Sequence, residues 1–429
     1  MTKKGQLFIH TVEQFREMIQ SQRYHELAKR SEKDFTRKRK MSLANYIWFL
    51  LSSTKRSLAS ALHVFVEELN VNLDNYSKQA FSQGRLRIRP EALLGLMRAV
   101  RDWFYEDADY ETWRGKRVMA IDGTTYNLPT SEELKERFGI QKSSGNQIQA
   151  RGSCLYDVLN GIILDAQLTD VKGAERTLAQ QHLEALADNP ARRGEKELLL
   201  FDRGYPSGKM IDALEEKHFF YVMRCEPGFC KGMKLGSYKE EDDRILEHKF
   251  KNAKKSRRFR VIRFRLGDDT EETLLTNLTD VSLTCADFRE LYHRRWAIET
   301  EYDNLKNKIE IENFSGQSEL AVMQDFYAAM TIANLVSVLI FDNREKIAEY
   351  NRNEERAYQY KQNFNVTLGL LREKLLRLLM EDSPRVRARM VNKLKADAIR
   401  HLIPIRNGRS RPRERAHHSF KFPSNSRRA

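Results

Sequence analysis

The segment Arg117-Val118-Met119-Ala120-Ile121-Asp122-Gly123 is a short apolar run that ends in Asp-Gly, which predicts a strand that stops at a turn. Before it, residues 1 to about 110 place apolar side chains at helical spacing. After it, two predicted strands over 149–157 and 162–169 are joined by Asn160-Gly161, a type I′ hairpin signal. The change from helical spacing of the apolar residues to short strand-like runs predicts a helical region followed by a sheet.

Further along the chain, helices and strands alternate. A helix is predicted over 173–188, a strand over 197–202 that ends in Asp202, a helix over 207–217 and a strand over 219–223. Residues 225 to about 283 hold several glycines and short alternating runs, which indicates a small β-rich insertion. These patterns predict a mixed α/β fold in which helices pack against a mixed sheet.

Helices are expected on both sides of this core. Those before it are predicted over 11–20, 43–51, 55–69 and 90–105, and those after the insertion over 284–308, 320–341, 366–380 and 385–402. Thr284, with Asp287 three residues later, resembles a capping box at the start of the helix over 284–308. The Arg/Ser/Pro-rich tail over 404–429 is expected to be disordered when unbound.

The chain is basic, and its positive charge is concentrated in three segments. It has 429 residues with 75 Lys and Arg against 60 Asp and Glu, a net charge of +15. Residues 385–429 carry +12 of that excess, and further clusters lie at 29–40 and at 249–265, the latter with no acidic residue. One cluster is usually a solvated face, but three separate clusters favour a long polyanion such as nucleic acid over a membrane surface.

Composition also limits the class of protein. At 41% hydrophobic residues the chain can bury a core. The longest uncharged stretch, 326–341, contains Thr331, Asn334 and Ser337 and is predicted to be a buried helix, not a membrane span. Four cysteines in this length are too few for a disulfide framework, and their spacing makes a zinc site unlikely. We expect a soluble, cytosolic protein.

Four polar residues on the helix predicted over 284–308 share one face. At 100° per residue, Tyr292, Arg295, Glu299 and Lys306 fall within a wedge of about 60°. This wedge borders an apolar stripe formed by Leu291, Ile298, Tyr302, Leu305 and Ile309. The side chain of Glu299 is therefore expected to lie near the sheet instead of pointing fully into solvent.

Asp122 and Asp202 each end a predicted strand, at the edge where α/β sheets commonly build sites. If the two strands are neighbours, both carboxylates meet Glu299, and their mutual repulsion calls for bound cations. Oxygen ligands favour Mg²⁺ or Mn²⁺, and a pair of such ions can promote phosphoryl transfer. Taken singly, an Asp-Gly at a strand end, such as Asp122-Gly123, is more often a turn, and Glu299 is more often an exposed charge or a partner of Lys306. Taken together, in a basic protein, these residues indicate an enzyme that cuts or joins nucleic acid.

These residues resemble a known family. The spacing of Tyr292, Arg295, Glu299 and Lys306 matches the Tyr-x2-Arg-x3-Glu-x6-Lys signature of DDE transposases of the bacterial insertion-sequence-four group. The blocks at 120–124 and 202–205 resemble the two aspartate blocks of that family, and the segments at 35–42 and 79–85 are also similar to its members. The resemblance covers roughly residues 30–345.

The resemblance implies an RNase H-like catalytic core interrupted by a β-rich insertion and flanked by N- and C-terminal helical regions. The implied domains are a helical DNA-binding region (1–112), the first part of the core (113–224), the insertion (225–283), the part with the catalytic-glutamate helix (284–320), a C-terminal helical region (321–403) and a basic tail (404–429). Asp122, Asp202 and Glu299 are implied to be the catalytic residues and to hold two Mg²⁺ or Mn²⁺ ions.

The implied reaction is metal-dependent cleavage of transposon ends and transfer of the 3′-OH into target DNA by a homodimer in a paired-end complex. Residues expected to contact DNA are Arg37, Lys38, Arg39, Lys40, Arg258, Arg260, Tyr292, Arg295, Trp296 and Lys306. For Trp296, packing in the core is the alternative to stacking on a base. For the whole protein, the alternatives are a DNA-binding regulatory protein that has lost transposition and a metal-dependent nuclease.

One feature departs from the family. Relatives that form hairpin intermediates often carry a tryptophan in the insertion that receives a flipped base, and the four tryptophans here, Trp48, Trp103, Trp113 and Trp296, lie outside it. Aromatic residues of the insertion and the strand before it that could take this place are Tyr221, Phe229, Tyr238, Phe250, Phe259 and Phe264.

Overall fold

The structure is a computed structural model that describes residues 5–37, 40–52, 57–69, 76–141, 145–189, 196–226, 228–233, 235–236, 240–266, 270–353 and 355–406. Its α-helices are α1 (Leu7–Gln20), α2 (Gln22–Ala28), α3 (Leu43–Ser52), α4 (Leu58–Leu69), α5 (Lys78–Arg85), α6 (Pro90–Asp107), α7 (Glu132–Phe138), α8 (Glu175–Ala187), α9 (Gly208–Glu216), α10 (Cys285–His293), α11 (Trp296–Asp303), α12 (Glu319–Asp342), α13 (Arg344–Asn351), α14 (Phe364–Met380) and α15 (Pro384–Ile399). Its strands are β1 (Lys116–Asn127), β2 (Ile140–Gln141), β3 (Gln147–Asp157), β4 (Ile162–Asp170), β5 (Lys196–Phe201), β6 (Phe220–Cys225), β7 (Glu241–His248), β8 (Arg257–Arg265), β9 (Glu271–Thr276), β10 (Tyr360–Gln362) and β11 (Leu402–Pro404).

The chain divides into two compact units. Unit 1 is formed by the described residues of Met1–Asp109, Tyr126–Ala150 and Asp303–Ala429, and unit 2 by Tyr110–Thr125 and the described residues of Arg151–Tyr302. Asp122, Asp202 and Glu299 all fall in unit 2, together with Tyr292 and Arg295. Lys306 falls in unit 1.

Unit 2 is built on a mixed sheet with the strand order β4-β3-β1-β5-β6-β9-β8-β7. β1 pairs in parallel with β5, and β5 in parallel with β6. Parallel neighbours need a crossover connection, and the two connections here contain helices α8 and α9, respectively. β3 and β4 are joined by only four residues and form a hairpin. This arrangement confirms the mixed α/β class.

The insertion extends that sheet. β9 pairs antiparallel with β6, β8 with β9, and β7 with β8. Residues 259–264 of β8 are buried on both faces of the strand, with Phe259, Val261 and Phe264 each 1% exposed. The β-rich nature predicted for residues 225–283 is therefore confirmed.

In unit 1, α12 packs along α6, and both helices bury most of one face or more. α12 is long and apolar enough to cross a membrane, but 83% of its apolar window is buried inside the protein, as in the core helix of a globular domain. Its polar residues are satisfied there: Asp325 pairs with the buried Arg85 at 2.9 Å, and Gln324 bonds the backbone of Arg85 and Ile88. The predicted buried helix is confirmed.

Three local predictions are wrong. β1 does not stop at Asp122 but continues to Asn127. The β3–β4 turn is not type I′, which needs a positive φ at both central residues, because only Gly161 has one (φ 74°); instead, the Asp157 carboxylate accepts from the backbone N–H groups of Leu159 and Asn160. The helix predicted over 284–308 is broken into α10, α11 and a π-helical turn over Asn304–Lys308.

Candidate active site

Asp122 and Asp202 lie side by side on neighbouring strands. The parallel register of β1 and β5 pairs Ala120 with Leu200; Asp122 lies two residues after Ala120 within β1, and Asp202 lies two residues after Leu200, directly after the end of β5. Both strands are buried up to this point, with Ile121 and Phe201 at most 1% exposed. The sheet therefore brings the two aspartates to matching positions on adjacent strands.

The position of Asp122 is fixed by hydrogen bonds to its backbone and its side chain. Its Oδ1 accepts from the N–H of Gly123 at 2.8 Å. Its backbone carbonyl accepts from the hydroxyl of Tyr302 at 2.5 Å and from Ser153 Oγ at 3.1 Å. Burial raises the pKa of Asp122 to about 6, with smaller contributions from Glu299 and Asp202, while the Gly123 N–H and Arg295 act in the opposite direction.

Glu299 is carried by α11, directly after the break in the predicted helix. α10 begins at a capping box in which Thr284 and Asp287 bond each other's backbone, as predicted, and ends at His293. The break at 294–295 and the π-helical turn mean that a single straight helix does not describe this segment. The predicted wedge is thus broken, with Lys306 on the π-helical turn, although every residue of the apolar stripe is buried.

Arg295 lies between the carboxylates. Its Nη2 donates to Glu299 Oε1 at 2.9 Å, and its Nη1 is 3.8 Å from Asp122 Oδ2. The side chain is 4% exposed, and although burial opposes its charge, the pKa of Arg295 is raised by Tyr292, Asp202, Glu299 and Asp122. The guanidinium therefore supplies positive charge to the acidic cluster. The sequence analysis predicted that Arg295 contacts DNA, but in the structure its side chain is buried.

The donor atoms suit a hard divalent cation. Asp202 Oδ1 is buried and has no hydrogen-bond partner, an arrangement that a cation would satisfy. Carboxylate oxygens are the ligands that Mg²⁺ and Mn²⁺ prefer. Within the described ranges, no group of three His, Cys, Asp or Glu residues is arranged to hold a metal ion.

The comparisons with known proteins identify the family. Residues 113–335, which include all three carboxylates, match the family model described as "Transposase DDE domain". The chain belongs to the transposase DDE domain family.

Relatives of the transposase extend this result beyond the matched domain. It is 23% identical over 411 residues to the transposase InsG for insertion sequence element IS4 of Escherichia coli K12, covering 90% of this chain and 88% of that protein. It is 26% identical over 159 residues to the probable transposase for insertion sequence element IS5377 of Geobacillus stearothermophilus, covering 35% and 41%. The assignment to the insertion-sequence-four group of DDE transposases is confirmed.

Among solved structures, the transposase is similar to the piggyBac transposase synaptic complex with hairpin DNA, with a TM-score of 0.47 and 10% identity over 89% of this chain and 85% of that one. The family assignment makes this protein a DNA transposase, an enzyme that cleaves DNA and transfers strands. Enzymes of this family bind DNA and use divalent metal ions.

Tyr292 and Trp296 differ in what they can reach. Tyr292 is 4% exposed, and its hydroxyl donates to the backbone carbonyl of Phe201, the residue before Asp202, at 3.3 Å. Tyr292 therefore holds the end of β5 in place through this hydrogen bond, whereas the sequence analysis predicted that Tyr292 contacts DNA. Trp296 is 47% exposed with Arg295 against its ring, so the alternative of core packing is wrong.

The other predicted DNA contacts fall into three groups. Arg37, Lys40 and Arg258 are exposed, whereas Lys38 and Arg39 lie outside the described residues. Arg260 is 4% exposed and its guanidinium bonds Asp243 and the backbone carbonyls of Asp280 and Leu283, so its predicted DNA contact is not supported. Lys306, in unit 1, lies 5.3 Å from the ring centre of Tyr126, and burial lowers its pKa.

Most aromatic candidates in the insertion are unavailable to a base. Tyr221, Phe250, Phe259 and Phe264 are at most 4% exposed, and Tyr238 lies outside the described residues. Phe229 is half-buried and stacks on Phe250 with ring centres 4.6 Å apart. It lines a groove of about 800 Å³ that also contains Arg176, Lys209 and Lys251. Arg176 donates to the carbonyl of Gly204, in the loop after Asp202.

A basic surface on α15 was visible in the sequence only as excess charge. Arg385, Arg389, Lys393 and Arg400 are exposed and fall within about 80° of one another on a helical projection. The opposite face, including Val391 and Leu394, is buried. We call these four residues the α15 stripe; the spacing of four residues between the first three is the signal that could have revealed it.

Proposed function

We propose that the protein moves its own element by a cut-and-paste mechanism, with Asp122, Asp202 and Glu299 holding two Mg²⁺ or Mn²⁺ ions. The observation that carries this proposal is the parallel β1–β5 register, which aligns the two aspartates beside each other. Glu299 joins them because Arg295 contacts both Glu299 and Asp122. The unpartnered Asp202 Oδ1 supports a cation at the same place.

Two reactions of the same kind follow from this assignment. In the first, water attacks the phosphodiester at the transposon end, and the bond from phosphorus to the 3′ oxygen breaks to leave a 3′-OH. In the second, that 3′-OH attacks a phosphodiester of the target, forming one P–O bond while another breaks. Bound divalent ions would activate the attacking oxygen and stabilise the leaving oxygen.

The chain's own residues position the acidic groups for both reactions. Tyr302 and Ser153 hold the backbone of Asp122, and Tyr292 holds the carbonyl before Asp202. Arg295 orients Glu299 through one oxygen, Oε1, and keeps the acidic cluster compact. Precise placement matters because displacing a reacting group by about 1 Å can cost on the order of 100-fold in rate.

For DNA binding, we propose phosphate contacts by Arg37, the basic segment 38–40, Arg258, Lys306 and the α15 stripe. Trp296, half exposed beside Arg295, is placed to stack on a base near the site. We assign the transposon ends and the target as the DNA substrates, a homodimer in a paired-end complex as the active species, and the bacterial cytoplasm as its location.

The test uses a duplex that carries the element's terminal inverted repeat, with Mn²⁺ or Mg²⁺. Asp122→Asn, Asp202→Asn and Glu299→Gln should each abolish cleavage while end binding persists. Glu290→Gln is the matched control, because Glu290 is an exposed carboxylate on α10 whose partner is Arg294. Cleavage that survives all three active-site substitutions would refute the assignment.

Two alternatives are separated by further arms of the same assay. A DNA-binding regulatory protein would bind the ends but fail to nick them even with Mn²⁺. A nuclease would cut the ends but would not join pre-cut ends to a plasmid. Joined product from wild type, absent with Asp122→Asn, is the result that the proposal predicts.

A further inference from the structure

Three polar side chains on β3, β4 and α8 form a buried hydrogen-bonded network in unit 2. His182 of α8 contacts Asp165 of β4 through Nδ1 at 2.8 Å and Ser153 of β3 through Nε2 at 3.0 Å. Their exposed fractions are 0%, 2% and 1%. No substrate can reach a serine this deeply buried, so the trio cannot act as a hydrolytic triad despite the same residue types.

This hydrogen-bonded network reaches the backbone of Asp122. Ser153 Oγ donates to the Asp122 carbonyl at 3.1 Å. A serine hydroxyl has a single proton, so when it is given to that carbonyl, the ring of His182 must donate to Ser153 from Nε2. Asp165 holds the other ring nitrogen and so fixes the orientation of the imidazole.

The same carbonyl is held from a second side. Tyr302 donates to it at 2.5 Å and accepts from the backbone N–H of Cys154, the residue after Ser153. Two donors, from β3 and from α11, therefore converge on one backbone atom. With the backbone of Asp122 held in this way, only the side-chain torsions χ1 and χ2 remain to set the position of its carboxylate.

We infer that His182, together with Ser153 and Asp165, is a positioning group for Asp122. This inference rests on the proposed catalytic role of Asp122. A buried polar network that is fully satisfied is rigid, and losing one member leaves its partners unpaired. The backbone of Asp122 would then shift at the place where the reaction requires fixed geometry.

The experiment compares Ser153→Ala with Thr276→Val. Thr276 of β9 makes a matched contact, because its buried hydroxyl donates to the backbone carbonyl of Tyr221 on the adjacent strand at 2.5 Å. At saturating end DNA, Ser153→Ala should lower the cleavage rate constant by about 10- to 100-fold, the range seen when groups behind a metal ligand are removed. DNA affinity should be unchanged, and Thr276→Val should cleave at the wild-type rate.

A readout independent of cleavage is the rise in melting temperature on adding Mn²⁺. Ser153→Ala should need more Mn²⁺ than wild type or Thr276→Val to reach half of its maximal rise. His182→Gln, which keeps a donor near the position of Nε2, should cleave faster than His182→Leu. If the network were only packing, Leu would serve at least as well as Gln, and that order would overturn the inference.

The outcomes separate the inference from the proposed function. If Asp122→Asn still cleaves, the proposed function is wrong. If Asp122→Asn is inactive but Ser153→Ala behaves like Thr276→Val in both rate and Mn²⁺ dependence, only the inference is wrong.

Discussion

Arg295 donates a 2.9 Å hydrogen bond to Glu299 one helical turn away, in a cluster where Asp122 is the nearest other carboxylate. A buried cation among carboxylates stands where a metal site is proposed, so the guanidinium and a divalent ion supply charge to the same acidic groups. We therefore expect a bound divalent ion to stabilise the fold more when the guanidinium of Arg295 is absent than when it is present.

Replacing Arg295 by Gln should destabilise the metal-free protein by about 1–3 kcal/mol, because it leaves the half-buried carboxylates of Asp122 and Glu299 without a counter-charge. Added Mn²⁺ should raise the melting temperature of this variant more than that of wild type. Arg294→Gln is the control: its pair with Glu290 is exposed and should be worth less than about 1 kcal/mol. A smaller Mn²⁺ effect in Arg295→Gln than in wild type would contradict this prediction.

Asp122→Asn should stabilise the metal-free protein at neutral pH. The folded-state pKa of Asp122 is about 6, against 3.8 for an ordinary Asp, so ionising this group costs stability as pH rises between those values. The advantage of the variant should be absent below pH 3.8 and full above about 6, where it reaches at most roughly 3 kcal/mol. Urea unfolding at several pH values measures it, and a pH-independent difference would disagree with it.

Tyr302→Phe should slow cleavage without weakening end binding, because it removes one donor from the Asp122 carbonyl and the acceptor of the Cys154 N–H. Tyr24→Phe is its match, since Tyr24 is equally a buried tyrosine whose hydroxyl donates to a backbone carbonyl, that of Ala92. Both variants should lose about 1 kcal/mol of unfolding free energy. Equal cleavage rates in the two variants would count against the role of Tyr302.

The triple variant Arg385→Ala/Arg389→Ala/Lys393→Ala should bind duplex DNA more weakly and with less salt dependence. Each lost phosphate contact is expected to lower the slope of log K against log salt by about 0.9. Asn392→Ala, an exposed neutral change on the same face of α15, is the control. An unchanged slope in the triple variant would remove the α15 stripe from the DNA surface.

Much of unit 2 could be predicted from local patterns. The apolar runs that lead to Asp122 and Asp202 both form strands, as their composition predicts, and the two strands pair in parallel. The capping box at Thr284 was also visible, because its two residues are three positions apart. Short helices such as α2 and α7 were missed because seven residues give too little periodicity.

The rest depended on contacts that are distant in sequence. The break after α10 places Arg295 against Glu299 and Asp122, which a straight-helix projection could not show. The burial of Arg260 is set by Asp243 on the neighbouring strand β7. The hydrogen-bonded network of Ser153, His182 and Asp165 joins three separate elements, and the spacing of these residues in the sequence does not predict it.

Iron-directed cleavage of the polypeptide measures most directly whether Asp122, Asp202 and Glu299 hold divalent ions together: Fe²⁺ replaces Mg²⁺, and ascorbate and peroxide generate hydroxyl radicals at the bound ion. If the three residues share the ions, the polypeptide should be cut near residues 122, 202 and 299 in the same reaction. Excess Mg²⁺ should suppress all three cuts, and Asp122→Asn should abolish them. Cuts confined to other segments, or cuts near one carboxylate alone that Mg²⁺ does not suppress, would contradict it.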